Sequence, residues 1–327
     1  MRRIAVVALG GNAITRAGQA GTHGEQAANA RAMATAICEL REAGWVVVVV
    51  HGNGPQVGNL AIQQHEAEDE VPTLPLFVQG AMTQGQLGTL LVLALHEVVA
   101  QPPPGVVSMV THVVVAADDP AFDRPSKPIG PFFTEDDAKR LAAERGWDIV
   151  ADSGRGWRQI VASPKPLRIV EVNAIRALVD REMIVVAAGG GGVPVVADGP
   201  GYRGVDGVID KDLTARLVAT ALDAEALVLV TDIDKVALDF DSAAQRSVTE
   251  MTVDEAQAHL EDGQFPPGSM GPKVSAAIEF VRAGGRTAVI TNAQRVAPSL
   301  DGTVHDESET GTRIVAVSSP TGIGASS

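Results

Sequence analysis

Cysteine is almost missing from this 327-residue chain, and its single copy, Cys38, excludes an intrachain disulfide framework. That residue sits in an alanine-rich stretch and reads as a small core residue rather than a nucleophile. Aromatic residues make up only 3%, too few for a platform on which nucleic-acid bases stack. Positive charge is scarce as well. Against 40 acidic residues stand 26 basic ones, and the net charge of −14 disfavours DNA and anionic membrane surfaces as partners. No run of about 18 uninterrupted apolar residues occurs, so no membrane span is expected. The short apolar run after Met1-Arg2-Arg3 does not suit a signal peptide, and the expected location is the cytoplasm.

Several catalytic devices are missing too. There is no G-x-x-x-x-G-K-[ST] loop, no G-x-G-x-x-G at a strand–helix junction and no G-x-S-x-G element. No cysteine or histidine cluster has metal-ligand spacing, so no metal held by protein side chains is expected. His51 stands alone at a strand end, where a structural hydrogen bond is the expectation. Length and a hydrophobic content of 45% describe a globular chain, one large domain or two lobes.

What the chain does have is Val46-Val47-Val48-Val49-Val50-His51-Gly52-Asn53-Gly54-Pro55. Five valines in a row cannot form one face of an amphipathic strand. They predict a strand buried on both sides, as in the middle of a parallel sheet. The same grammar recurs: 4–9 runs into Gly10-Gly11-Asn12, 183–188 into four glycines, 226–230 into Thr231-Asp232, and 287–290 into Thr291-Asn292. Any one of these loops can be no more than a tight corner. Five together predict an open α/β sheet whose loops share the carboxyl edge, where ligands collect.

Helices are expected over 24–42, 55–69, 83–100, 173–181, 213–222, 252–260 and 274–283, the 252–260 helix through a capping box of Thr252 with Glu255. Single strands are expected over 106–115 and 312–317, and the tail beyond is expected to fray. Between 116 and 166 the texture changes to proline-rich stalks around a helix over 135–145 and short strands near Ile149 and Ile160. This predicts an inserted lid, with Lys127 fixed among prolines. Only six residues are lysine, and Lys127, Lys211 and Lys273 lie in glycine-, proline- or aspartate-bounded loops. The Gly10-Gly11 and Gly52-Asn53-Gly54 backbones can offer N–H groups to an oxyanion, and Lys211 and Lys273 open helices, which suits phosphoryl oxygens. Asp212 can hold the lysines without reacting itself. Asp210-Lys211-Asp212 taken alone is also an ordinary helix-start charge cluster.

Taken together, Ala8–Ala13 in the order Ala-Leu-Gly-Gly-Asn-Ala, His51-Gly52-Asn53-Gly54-Pro55-Gln56-Val57-Gly58, Ser126–Phe133, Ala188–Val195 with its four glycines, Ile209-Asp210-Lys211-Asp212 and Gly268-Ser269-Met270-Gly271-Pro272-Lys273 resemble the carbamate kinases, a branch of the amino-acid kinase family. Most other branches carry lysine after the first Gly-Gly; here Asn12 stands there, as in carbamate kinases. The resemblance implies one α/β/α sandwich over 1–327 with a mainly parallel open sheet and a small protruding lid. It implies a carbamate-binding and dimerising lobe over 1–186, a nucleotide-binding lobe over 187–327 and a homodimer.

The implied reaction is ATP plus carbamate giving ADP plus carbamoyl phosphate, run toward ATP in arginine or purine catabolism. Mg²⁺ would be held mainly by phosphates and water. Gly10, Gly11, Asn12, Gly52, Asn53 and Gly54 would hold carbamate and the transferring group. Lys211 and Lys273 would neutralise it, Asp212 would organise them, and Lys127 would reach in from the lid. Thr231, Asp232, Met270 and Gly271 would line the nucleotide side, with Lys211 and Lys273 also touching the nucleotide. Thr89, Trp157 and Ala237 stand where the family usually has tyrosine, and the last thins the wall beside the adenine. The competing readings are a kinase of the same superfamily acting on another small carboxylate, and a nucleotide-binding sensor without turnover.

Overall fold

The computed structural model of the chain describes residues 2–16, 18–98, 105–152, 156–266, 268–301 and 307–317. The expected fraying of the tail beyond 317 and the triple-proline break at 102–104 lie outside them.

Alternation of strand and helix begins at once, with β1 (Arg3–Leu9), α1 (Gly11–Ile14), α2 (His23–Glu42) and β2 (Trp45–His51). Thr22 and Glu25 close a capping box at the start of α2. Next come α3 (Gly54–Glu66), α4 (Leu76–Val98), β3 (Val106–Ser108) and β4 (His112–Val114). The insertion holds β5 (Lys127–Phe133), α5 (Glu135–Arg145), β6 (Asp148–Ala151) and β7 (Trp157–Val161). The chain returns through β8 (Arg168–Ile169), α6 (Val172–Val179), β9 (Ile184–Val186), β10 (Val193–Asp198) and β11 (Gly201–Gly204). It ends with α7 (Lys211–Ala221), β12 (Ala226–Val230), β13 (Ala237–Leu238), β14 (Arg246–Ser247), β15 (Glu250–Thr252), α8 (Val253–Glu261), α9 (Met270–Arg282), β16 (Thr287–Thr291), α10 (Val296–Leu300) and β17 (Thr312–Val315).

The main sheet has the order β15-β17-β16-β12-β1-β2-β9-β3, parallel throughout except at β16–β17. The valine run fills both of its faces. Val46, Val48 and Val50 join the core packed by α6, α7, α8 and α9, while Val47 and Val49 join the core packed by α2, α4 and α10. β1 divides in the same way, Val6 and Ala8 against Ala5, Val7 and Leu9. Each such valine stabilises the fold by roughly 1.5–3 kcal/mol. The expected three-layer sandwich is therefore present, and Cys38 is buried in its second core.

Three expectations need correction. The strand expected over 106–115 is two strands in different sheets: β3 pairs with β9, whereas β4 pairs with β10 and β8. Between them the Gln84 side chain of α4 takes both backbone groups of Thr111, accepting its N–H at 2.9 Å and donating to its C=O at 3.1 Å. Second, α4 begins at Leu76 rather than at 83. The Asp206 carboxylate accepts the N–H of Phe77, and Gly88 lets the helix approach Ser108, whose Oγ would lie 2.0 Å from an added Cβ. Third, the proline stalk at 127–133 is a strand. It lies at the edge of the three-stranded lid sheet β5-β7-β6, where Pro128 and Pro131 are tolerated. The hairpin β10–β11 after the four-glycine loop was not expected.

The lid is docked rather than free. α3 and β5 touch backbone to backbone at Gly58 and Gly130, and Val57, Ile129 and Val208 form a small buried cluster beneath it. Arg145, at the end of α5, pairs with Glu66 of α3.

Candidate active site

The five apolar runs read from the sequence, now β1, β2, β9, β12 and β16, are parallel, so their carboxyl ends share one edge. Leu9 pairs with both His51 and Val230, which sets the loops after β1, β2 and β12 side by side. The Gly52 N–H donates to Leu9 C=O at 2.9 Å and ties the first two together. Gly10 follows β1 and Gly11 and Asn12 open α1; the side chain of Asn12 lies outside the described part. Asn53 is buried at the start of α3 and its Nδ2 donates to Thr83 Oγ1 at 2.8 Å.

His51 is fully buried, with Nδ1 3.0 Å from its neighbour's carbonyl at Gly52. Burial pulls its pKa down to about 4, opposed by that hydrogen bond, so the ring is neutral near pH 7. The glycines at 189–191 are needed because this loop wedges between the end of β2 and the start of α7. A Cβ at Gly189 would lie 2.3 Å from His51 Nε2, at Gly190 2.2 Å from Asn53 Nδ2, and at Gly191 2.3 Å from Ile209 C=O. Close approach thus accounts for these glycines.

Charge gathers where α7 and α9 begin. Asp210 is the N-cap of α7; its Oδ1 accepts the Asp212 N–H at 2.8 Å. Asp212, 2% exposed, accepts from Lys211 Nζ at 2.9 Å through one oxygen and from Lys273 Nζ at 2.8 Å through the other. Lys273 lies in the first turn of α9, so Asp212 clasps the two helix starts together. Lys127, at the start of lid strand β5, reaches Asp210 Oδ2 at 2.5 Å. Three ammonium groups and two carboxylates thus form one cluster carrying a net single positive charge when all are ionised.

Burial works against each of these charges, and the neighbours decide which survive. For Asp212, burial is outweighed by Lys211 and Lys273, which hold its carboxyl below the usual range; for Asp210, by Lys127 and Lys211. The Lys273 ammonium, although desolvated, is kept above its ordinary pKa by Asp212. Lys211 goes the other way. Burial and the repulsion of Lys273 overcome Asp212, and its pKa falls to about 8.

The structure therefore brings Lys127, Lys211, Asp212 and Lys273 into one cluster and sets the Gly10–Asn12 and Gly52–Gly54 loops on the same sheet edge. Thr231 and Asp232 follow β12 on that edge, the Thr231 hydroxyl 3.1 Å from Asp232 Oδ1; Met270 and Gly271 open α9 beside Lys273. Two residues were missed. Asp210 was read only as part of a helix-start cluster, and its lysine partner is 83 positions away. Arg158 of β7 was not singled out. Its Nε donates to Gly130 C=O at 3.1 Å, and its guanidinium lies 3.8 Å from where a Cβ on Gly54 would stand. The signal was the basic residue beside Trp157 on a strand facing the loop after β2.

The model of the amino acid kinase family matches residues 3–292. The chain belongs to that family. Within the family it is similar to carbamate kinase from Pyrococcus furiosus, 41% identical over 96% of this chain and 100% of the relative. Carbamate kinase from Thermococcus kodakarensis is 43% identical over 96% and 99% of the two chains. Among solved structures, carbamate kinase from Giardia lamblia bound to citric acid superimposes with a TM-score of 0.90 at 39% identity, covering 96% of this chain and 98% of that one. The same enzyme bound to AMP-PNP gives a TM-score of 0.84. The match spans the lid as well as the sandwich.

Proposed function

We propose that the protein catalyses reversible phosphoryl transfer between ATP and carbamate; the relatives it resembles are named carbamate kinases. The observation that carries this reading is the Asp212 clasp on Lys211 and Lys273, joined by Lys127 through Asp210 at the carboxyl edge of the sheet. Carbamate is already an anion, so its oxygen needs no general base to attack. The task is to bring two anions together in line and offset their repulsion. Helix starts and ammonium groups do this, and each such donor is worth about 3 kcal/mol in the transition state.

In this reading Gly10, Gly11, Asn12, Gly52, Asn53 and Gly54 hold carbamate and the transferring group, and Lys211 and Lys273 neutralise its charge. Asp212 fixes their ammonium groups without exchanging a proton. Lys127 covers the group from the lid. Thr231, Asp232, Met270 and Gly271 border the nucleotide, ATP or ADP, so residues 1–186 serve carbamate and 187–327 the nucleotide. The AMP-PNP complex of the Giardia relative supports a nucleotide here.

Mg²⁺ fits as a companion of the nucleotide. Asp210 and Asp212 are committed to lysines, and among the described residues no group of three His, Cys, Asp or Glu could cage an ion. The metal would be held mainly by phosphates and water and would draw charge from the transferring group. We also read the chain as a cytoplasmic homodimer working toward ATP in arginine or purine catabolism. Support for the dimer is the apolar border of α4 and β3, where Leu93 is 57% and Val110 45% exposed beside a cleft of about 370 Å³.

Purified protein given ADP and carbamoyl phosphate should form ATP. Activity only with another acyl phosphate would assign it a different small carboxylate, and nucleotide binding without turnover would make it a sensor.

A further inference from the structure

Asp210 uses its two oxygens for two different jobs. Oδ1 caps α7 by accepting the Asp212 N–H, and Oδ2 holds Lys127. Capping needs one acceptor and no charge, so asparagine or serine would serve as well there. The charge of Asp210 therefore answers to something else, and its partner is the lid lysine.

The remainder of the lid is fastened to the N-terminal half, through Gly58 against Gly130 and Arg145 on Glu66. Toward α7 it reaches through Lys127, through Ile129 packed on Val208, and through the Val208 N–H, which donates to Ala162 C=O at 2.9 Å. Only the first of these carries a side chain into the charged cluster. A lysine stem loses more rotamer freedom on ordering than most side chains. Without an anchor the Lys127 amine would spend its time in water. The pair is partly buried, 29% and 16% exposed, so bulk solvent screens it weakly.

We propose that Asp210 is a positioning residue for Lys127: it holds the lid ammonium beside Lys211 and Lys273 before substrate arrives and yields it to the transferring phosphoryl group. Ordering of the lysine is thereby completed in the free enzyme and not at the transition state. The cap on α7 is untouched by the handover, because it uses the other oxygen. The inference rests on the reading of Lys127 as a participant in the reaction.

The test is a double-mutant cycle with Asp210→Asn and Lys127→Met, following ATP formation from ADP and carbamoyl phosphate, with ADP affinity measured by calorimetry. Asp210→Asn keeps a capping acceptor and loses the charge. It should lower kcat about tenfold, the size usual for coupled neighbours, and leave ADP affinity within about twofold. In the Lys127→Met background the same change should do nothing further. Asp210→Ser, a second capping residue, should repeat the result and serves if the asparagine variant folds poorly. Wild-type turnover in Asp210→Asn overturns the proposal. So does an equal loss in both backgrounds, which would mean that the charge of Asp210 acts independently of Lys127. If Lys127→Met itself turns over normally, the role given to Lys127 fails as well, an outcome distinct from failure of Asp210 alone.

Discussion

Gly58 and Gly130 meet backbone to backbone: a Cβ on Gly58 would stand 2.0 Å from both the N and the Cα of Gly130. Helix α3 is thereby pressed flat against the lid strand β5. In the interior of a helix alanine is normally better than glycine by about 1 kcal/mol. Here the clash is with backbone, which cannot swing aside, and overpacking of this kind costs about 1–3 kcal/mol. Gly58→Ala should therefore lower the melting temperature and slow turnover by lifting the lid. Gly80 of α4, where an added Cβ meets nothing within 4 Å, is the matched control. Gly80→Ala should leave stability equal or higher; thermal denaturation of the two variants decides whether the Gly58 contact is what matters.

Lys211→Ala should reduce turnover by about two orders of magnitude or more, the loss expected for one donor to a transferring phosphoryl group. The Asp212–Lys273 pair at 2.8 Å remains to hold α7 against α9, so the circular dichroism spectrum should be unchanged. A folded, fully active Lys211→Ala protein would remove this lysine from the mechanism.

The same lysine sets an alkaline limit. Burial pulls its pKa to about 8, below the ordinary 10.5, and the charged form is the useful one. kcat/KM should then fall as pH rises through about 8, because that quantity reports the free enzyme. The effect on stability has the opposite sign. Between pH 8 and 10.5 the unfolded chain holds a proton on this lysine that the folded one has released, so its contribution to stability rises with pH. Turnover should thus drop in a range where urea titration finds no loss of fold from this group.

His51 supplies an acid-side prediction. The folded ring stays neutral down to about 4, whereas the unfolded ring titrates near 6.5. Below 6.5 the unfolded state binds a proton that the folded state refuses. The stability it supplies at neutral pH is lost progressively as pH falls toward 4, to a total of about 3 kcal/mol. In His51→Gln the melting temperature should depend less steeply on pH over that window; an unchanged slope would place the acid sensitivity elsewhere.

The parts of the fold legible in the sequence were those whose burial is two-sided. β1, β2 and β12 announce themselves as uninterrupted apolar runs because cores lie on both faces. What stayed hidden depends on partners remote in sequence. Nothing local ends β3 at Ser108; Gln84 does so by holding Thr111. Nothing local shows that the prolines of β5 sit on an edge, and the Asp206 that meets the start of α4 lies 129 positions from Phe77. Within the candidate site, Lys211 and Lys273 were legible from the glycine and aspartate residues around them. Asp210 was not, because a good N-cap residue at a helix start calls for no further explanation.

β1 and β12 are hydrogen-bonded neighbours from Ala5–Ala226 to Leu9–Val230. The half of the molecule assigned to carbamate and the half assigned to nucleotide therefore share one hydrogen-bonded sheet, with no linker between them at this junction. The turns after β1, β2 and β12 thereby hang side by side from one continuous ladder of backbone hydrogen bonds.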